Sequence, residues 1–299
     1  MAGKAEREVR HMLYNNIKQY AGPLDLDSAC AVLNVSSDSY RRWLTKAVVP
    51  VDMKLRDLLH DIALAFPRYG YRRMTKELAR RGCAANHKRV LALMRQDNLL
   101  CIKKRFKPTT TNSDHPFPVY PNLARFLHPT GINQLWVADI TYVRLLTEFV
   151  YLAAVIDVFS RKCIGWGLSR DIDTRLALTA LNKALACREG MDLSSLVHHS
   201  DQGVQYASHA YVDALLARGI RISMSRKGNP YDNAFAESFM KTLKAEEVDI
   251  KEYESFGEAH ANIREFIDLV YNGKRLHSSI GYVPPDEFEM GVSLSRTSA

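Results

Sequence analysis

Long hydrophobic runs are missing from this 299-residue chain, and no stretch reaches the ~20 apolar residues that a membrane-crossing helix requires. The opening, MAGKAEREVRHML, lacks the apolar core of a secretion signal, so no membrane partner and a cytoplasmic location are expected. Cysteine is scarce and unpatterned. The five residues Cys30, Cys83, Cys101, Cys163 and Cys187 are odd in number and never in CxxC spacing. That argues against a disulfide framework and a cysteine-based zinc site, leaving them as small buried hydrophobes. Internal repeats and low-complexity tracts are also absent, and 46% hydrophobic with 25% charged residues argues against wholesale disorder.

What is present is enough chain for two or three domains and a lopsided charge. The first 130 residues carry 23 Lys/Arg against 11 Asp/Glu, whereas residues 131–299 carry 18 against 22. A basic front joined to a mildly acidic back suggests a module that holds a polyanion, coupled to a second function, although solvated helix faces would give the same count. In the front half, residues 24–44 read as helix, polar turn, helix, with Ser36 or Ser37 as a cap and Arg41 and Arg42 pointing outward. A second pair spans MTKELARRG (74–82), stopped by Gly82, and NHKRVLALMRQDNLL (86–100), opened by Asn86. There Val90, Leu91, Leu93 and Met94 supply the apolar face and leave Lys88, Arg89 and Arg95 available, with Arg72 and Arg73 just upstream. Basic helical pairs of this kind suit DNA docking, a compact protein-interaction module being the plainer alternative. Residues 101–130 hold five of the 11 prolines and read as a linker in which Lys103, Lys104 and Arg105 could track a phosphate backbone.

From residue 131 the pattern changes. QLWVADITYV (134–143), EFVYLAAVIDVF (148–159) and KCIGWGL (162–168) read as antiparallel strands. A helix at 174–186 capped by Asp173, a strand at 194–200, a helix at 209–219 ended by Gly219, a strand at 220–224 and a helix at 232–246 follow. The order βββαβαβα predicts a mixed sheet covered by helices.

Three acids stand out. Asp139 interrupts an apolar strand, Asp201 follows a strand and precedes a Gly turn, and Glu237 lies on the last of these helices. Singly, each is explained as a solvent-facing strand acid, a turn residue or a solvated helix acid. Together, three carboxylates would repel unless a cation joins them, and hard oxygen ligands suit Mg²⁺ in phosphoryl transfer. Asp157, ending its strand before Ser160 and Arg161, reads as a turn or salt-bridge residue, and His198 with His199 as structural. Asp232 begins the last helix and reads as its cap, with Phe235, Phe239 and Leu243 buried behind it. Glu237, Lys241 and Lys244 then share the opposite face.

The blocks WVADITYV, HHSDQGVQY and NPYDNAFAESFMKTLK, with 35 residues between Asp201 and Glu237 and Lys244 seven beyond the Glu, resemble the catalytic blocks of DDE transposases related to retroviral integrases. The likeness is to the OrfB product of the insertion-sequence family numbered three. It runs from about residue 24 to 290 and includes FPRYGYRRMTKEL and the tail YNGKRLHSSIGYVPPDEF, with Asn272, Arg275 and His277. It implies an α/β ribonuclease-H-like core preceded by small all-α helix-turn-helix domains. In that reading Asp139, Asp201 and Glu237 are catalytic and bind two Mg²⁺ ions, with Mn²⁺ able to substitute.

The implied activity is DNA cleavage and strand transfer at insertion-sequence ends, on terminal inverted repeats and target DNA. Lys241, Lys244 and the arginines and lysines named above are then DNA contacts, and a homo-oligomeric synaptic complex is expected, nucleoid-associated when on DNA. The zinc-binding His/Cys pattern of retroviral integrases is not present. The chain starts at its own Met without a long heptad run, so it is expected to be the downstream product, with an upstream OrfA-type protein as a fusion partner. The division expected is 1–48 and 49–100 as two helix-turn-helix-like segments, 101–130 as linker, 131–248 as catalytic core and 249–299 as a C-terminal helical extension. Two rivals stand beside this: a DNA-binding regulator with a non-catalytic α/β domain, and a same-fold nuclease without strand transfer.

Overall fold

The computed structural model describes residues 12–17, 26–44, 53–97, 99, 117–226 and 233–297, in two compact units, Met1–Lys54 and Leu55–Ala299. In the first, helical residues 12–17 pack with α1 (Leu26–Val32) and α2 (Ser37–Leu44) around Tyr14, Ile17, Cys30 and Tyr40. Ser36 caps α2 weakly, its Oγ accepting from Ser39 N at 3.4 Å.

The second unit opens on three helices: α3 (Met53–Ala65), α4 (Tyr71–Arg80) and α5 (His87–Gln96). Asn86 caps α5 as expected, accepting from Lys88 N at 2.8 Å, and Gly82 takes a left-handed φ of 78° where α4 stops. Helix α3 was not expected from the sequence. Its Leu55, Leu59 and Ile62 recur at helical spacing and are fully buried against Met74, Leu78, Val90 and Met94. Leu276, from the far end of the chain, completes that core.

The sheet has the order β3-β2-β1-β4-β5, built from β1 (Leu135–Arg144), β2 (Phe149–Asp157), β3 (Cys163–Ser169), β4 (Val197–Ser200) and β5 (Arg221–Met224). β1, β2 and β3 are antiparallel, while β4 runs parallel to β1 and β5 parallel to β4. Successive residues of β1 feed opposite faces. Leu135, Val137, Val143 and Leu145 pack toward α9 (Ala234–Glu246) and α10 (Phe256–Glu265), whereas Trp136, Ala138 and Ile140 pack toward α6 (Thr174–Cys187) and α8 (His209–Leu216). A one-turn helix, α7 (Val204–Ala207), stands between β4 and α8, and a C-terminal helix α11 (Pro285–Thr297) follows.

Asp173 caps α6, accepting from Leu176 N at 3.0 Å, and Gly219 (φ 68°) ends the α8 segment. Cys30 and Cys163 are buried as expected, but Cys187 is exposed at the end of α6; Cys101 lies outside the described residues. No helix among the described residues is long and apolar enough to cross a membrane.

Candidate active site

Register brings two of the acids side by side. β1 and β4 pair through Val137↔His199, and two residues further in each chain stand Asp139 and Asp201. β4 ends at Ser200, so Asp139 sits where β1 loses its neighbour and a gap opens at the strand ends. Asp201 is held by a turn in which its Oδ1 accepts from Gly203 N at 3.0 Å. A Cβ at 203 would meet that same Oδ1 at 3.0 Å, so a larger residue there would push on the Asp201 carboxylate.

Strand parity puts Asp139 on the face that α9 covers, and α9 carries Glu237. Asn233, at the start of α9, donates from Nδ2 to Ala138 O at 3.0 Å, tying the helix to the strand one residue before Asp139. Asp232, expected as the cap, lies outside the described residues.

The Asp139 carboxyl feels both of the other acids. Burial, then the charge of Asp201 and to a lesser degree that of Glu237, raise the Asp139 carboxyl to about 8, opposed by the Ile140 N–H it accepts and by Lys244. Lys244 stands 3.8 Å over the Tyr142 ring, and burial lowers its pKa while Asp249 and Asp139 raise it. Lys241 is exposed and pairs with Glu237 Oε2 at 3.1 Å. Among the described residues no three His, Cys, Asp or Glu side chains close on a single point tightly enough to hold one ion as they stand. The donors nonetheless suit a hard cation: all are carboxylate oxygens, their mutual repulsion is what a cation relieves, and the nearby Lys244 rests on an aromatic ring.

The neighbours divide differently from the sequence expectation in one place. Phe239 and Leu243 are buried, but Phe235 is 39% exposed, its ring lying under the Arg161 guanidinium at 4.2 Å. The inward positions of α9 are Ala236, Phe239, Met240 and Leu243, a stripe that leaves 235 at its edge. Asp157 is the turn and ion-pair residue expected: it accepts from Asn133 N at 2.8 Å and Phe159 N at 2.9 Å, with Arg188 at 3.8 Å. His198 bonds the Tyr211 hydroxyl at 3.0 Å and His199 the Ser223 hydroxyl at 2.8 Å, both inside the core.

Arg41, Arg42, Arg72, Lys88, Arg89 and Arg95 are exposed on their helices, and Arg73 is half-buried. Arg41 lies 3.5 Å from Asp27 and Arg42 donates to Asp38 O, which leaves both heads near the surface. Lys103, Lys104 and Arg105 fall outside the described residues. Of the tail residues, Asn272 patches the sheet edge, accepting from Cys163 N at 3.0 Å and donating to Cys163 O at 2.9 Å. Arg275 forks onto Glu246 with two bonds of 2.7 Å.

A mixed sheet in this order, with acids in the middle of its first strand, just after its fourth and on the helix after its fifth, defines an integrase-type polynucleotidyl transferase of ribonuclease-H-like fold. The Integrase core domain family matches residues 129–230 and, in a second segment, 218–285, and the HTH-like domain family matches 50–107. The chain belongs to the IS3-family transposases. It is 34% identical to "Transposase InsF for insertion sequence IS3A" of Escherichia coli (strain K12), over 93% of this chain and 98% of that protein. It is 40% identical to "Transposase for insertion sequence element IS904" of Lactococcus lactis subsp. lactis (strain IL1403), over 74% and 87%. The "Insertion element IS600 uncharacterized 31 kDa protein" of Shigella sonnei is 38% identical over 87% and 96%. Among solved structures, a simian T-cell lymphotropic virus intasome in complex with PP2A regulatory subunit B56 gamma aligns at TM-score 0.42 and 16% identity, over 72% of this chain and 70% of that one. The HTLV-2 integrase catalytic core domain in complex with magnesium aligns at 0.37 and 12%, over 53% and 97%.

Proposed function

We propose that Asp139, Asp201 and Glu237 form the catalytic centre of this transposase and hold two Mg²⁺ ions, which Mn²⁺ can replace. The observation that carries the reading is the register that sets Asp139 and Asp201 two residues beyond the paired Val137 and His199, with Glu237 on the helix tied to Ala138; burial and then repulsion from Asp201 and Glu237 raise the Asp139 carboxyl in keeping with it. A regulator with a non-catalytic sheet domain has no use for that repulsion. Bound there, divalent cations would polarise the scissile phosphate and make water a nucleophile at neutral pH.

The chain's own residues do the rest. Asp139 and Asp201 are fixed by the sheet and by a backbone turn, and Glu237 by a helix tied to β1, so the backbone positions are set and the side chains turn inward onto the cations. Lys244, half-buried beside it, meets a phosphate of the strand being cut, and Lys241 can leave Glu237 for another. Water first frees a 3′ end at the element's terminal repeat, and that 3′-hydroxyl then attacks a second phosphodiester.

Residues 1–48 and 49–100 are proposed as the two DNA-docking segments, 101–130 as a basic linker, 131–248 as the core and 249–299 as the extension that braces it. Arg41, Arg42, Arg72, Arg73, Lys88, Arg89 and Arg95 would then reach the duplex, joined by Lys103, Lys104 and Arg105 of the linker. Paired ends call for more than one copy of the chain, acting on nucleoid DNA in the cytoplasm with an OrfA-type partner.

The test is Glu237→Gln, assayed on labelled element ends with Mg²⁺. Cleavage and joined product should fall by on the order of 10³-fold or more while DNA binding persists. Retained cleavage removes Glu237 from the centre, and cleavage without joined product in the wild type makes the protein a nuclease.

A further inference from the structure

A cleft of about 340 Å³ opens beside α9, on the strip of helix next to the one that carries Glu237. Ser238 and Thr242 lie on its wall, and Ser238 is one residue, about 100° of turn, from Glu237. Three guanidiniums reach it from separate elements: Arg73 of α4, Arg161 of the β2–β3 turn and Arg275 of the tail. Their convergence shows on His277, which burial and then the charges of Arg275, Arg73 and Arg161 keep neutral.

Arg275 is already neutralised by Glu246. Arg73 and Arg161 are different. Among the described residues neither has an ion-pair partner; Arg73 lies 5.7 Å from the Tyr69 ring centre and Arg161 4.2 Å from that of Phe235. Arg161 Nε is buried and has no hydrogen-bond partner among the described residues. Burial lowers the pKa of both guanidiniums, Arg73 keeping only the more distant field of the Glu246 that Arg275 already holds, so a bound anion would stabilise them. The backbone adds to this: Arg161 has φ 66°, a left-handed conformation that costs any residue with a Cβ, yet an arginine occupies it. On the rim Ser278 and Ser279 are exposed, offering hydroxyl donors.

We infer that this cleft seats a backbone phosphate of the DNA strand whose scissile phosphate lies at the carboxylates. Guanidinium forks match phosphate oxygens, and hydroxyls complete such a seat. Both sites border one helix, whose diameter is ~10–12 Å, so the seated phosphate lies within a few nucleotides of the bond that breaks. Because Arg73 belongs to the helix-turn-helix region and Arg161 to the sheet, the same phosphate links the docking helices to the catalytic core. The inference rests on the transposase reading but is tested without catalysis.

The full chain carrying Glu237→Gln is titrated, without metal, with element-end duplexes in which single phosphates are replaced by neutral methylphosphonates. One or two positions near the cleavage site should weaken binding. In Arg73→Gln/Arg161→Gln on the same background, binding should fall about 10-fold or more, the salt slope should drop by about 1–2, and those positions should become silent. Ser279→Glu, at an exposed position, should reproduce the loss by placing a carboxylate among the arginines, and unchanged thermal unfolding of both variants excludes misfolding. An unchanged methylphosphonate profile and salt slope in these variants would overturn the assignment. So would inorganic phosphate stabilising the wild type but not the double variant while the scan stays flat, since that marks a small-anion site. Failure of Glu237→Gln to stop cleavage would strike the catalytic reading and leave this profile standing.

Discussion

At the scale of single residues, identity and environment had to be separated. Asp139 and Asp157 both end or interrupt apolar β-sequence, and only the Ser160 and Arg161 that follow Asp157 hint at its turn and ion-pair role. The fold gives Asp157 backbone N–H donors and Arg188, whereas Asp139 faces other acids. His198 shows the same dependence. Burial, and secondarily His199, lower its pKa to about 3, below an unfolded value near 6.5. The unfolded chain therefore binds a proton that the native state refuses, and stability falls as pH drops from about 6.5 toward 3 and is fully present above it. Replacing it with glutamine should flatten that slope by up to about 1.4 kcal/mol per pH unit between pH 6 and 4.5. Thermal unfolding of wild type and His198→Gln across that range checks it; parallel curves would mean that His198 is not buried neutral.

Elements were legible wherever local pattern decides them. The strands of residues 134–168, the caps Asn86 and Asp173 and the stops Gly82 and Gly219 emerge within a few residues of expectation, because each is set by neighbours in sequence. Helix α3 has the right leucine spacing but falls between the two helical pairs that the sequence predicts, and Phe235 sits outside the buried stripe because helical periodicity does not reveal where such a stripe ends. Packing between elements is less visible still. A Cβ on Gly165 of β3 would meet Ala184 N of α6 at 2.6 Å and collide with Ala180 O, both of them backbone atoms. Gly165→Ala should therefore push α6 off the sheet, costing about 1–3 kcal/mol and lowering the melting temperature by about 2–4 °C per kcal/mol. An unaltered melting curve would show that this contact is looser than described.

Across the whole molecule, the C-terminal segment braces what precedes it. Arg188, 3% exposed at the end of α6, bonds Glu289 of α11 through both terminal nitrogens, Nη1 at 2.8 Å, and also stands 3.8 Å from Asp157. Arg188→Ala would leave Asp157 with only its backbone donors and Glu289 with Lys162 at 3.6 Å, an expected loss of about 2–4 kcal/mol by urea unfolding. A loss below 1 kcal/mol would mean that water already reaches the cluster. Arg80 pairs with Glu287 at 2.6 Å and Leu276 N donates to Tyr69 OH at 2.8 Å, so the tail also fastens α4 and the loop before it. By itself, the sequence determined the element order, the basic front and the three acids at their spacing, because hydrophobic period, charge and chain distance are properties of residues in line. Only the tertiary structure decided that those acids share one field, that Asp157 does not, and that arginines from positions 73, 161 and 275 meet beside them. Those outcomes depend on strand register and on helix faces that bring together residues far apart in the chain, where Coulomb interactions act through space and not along the chain.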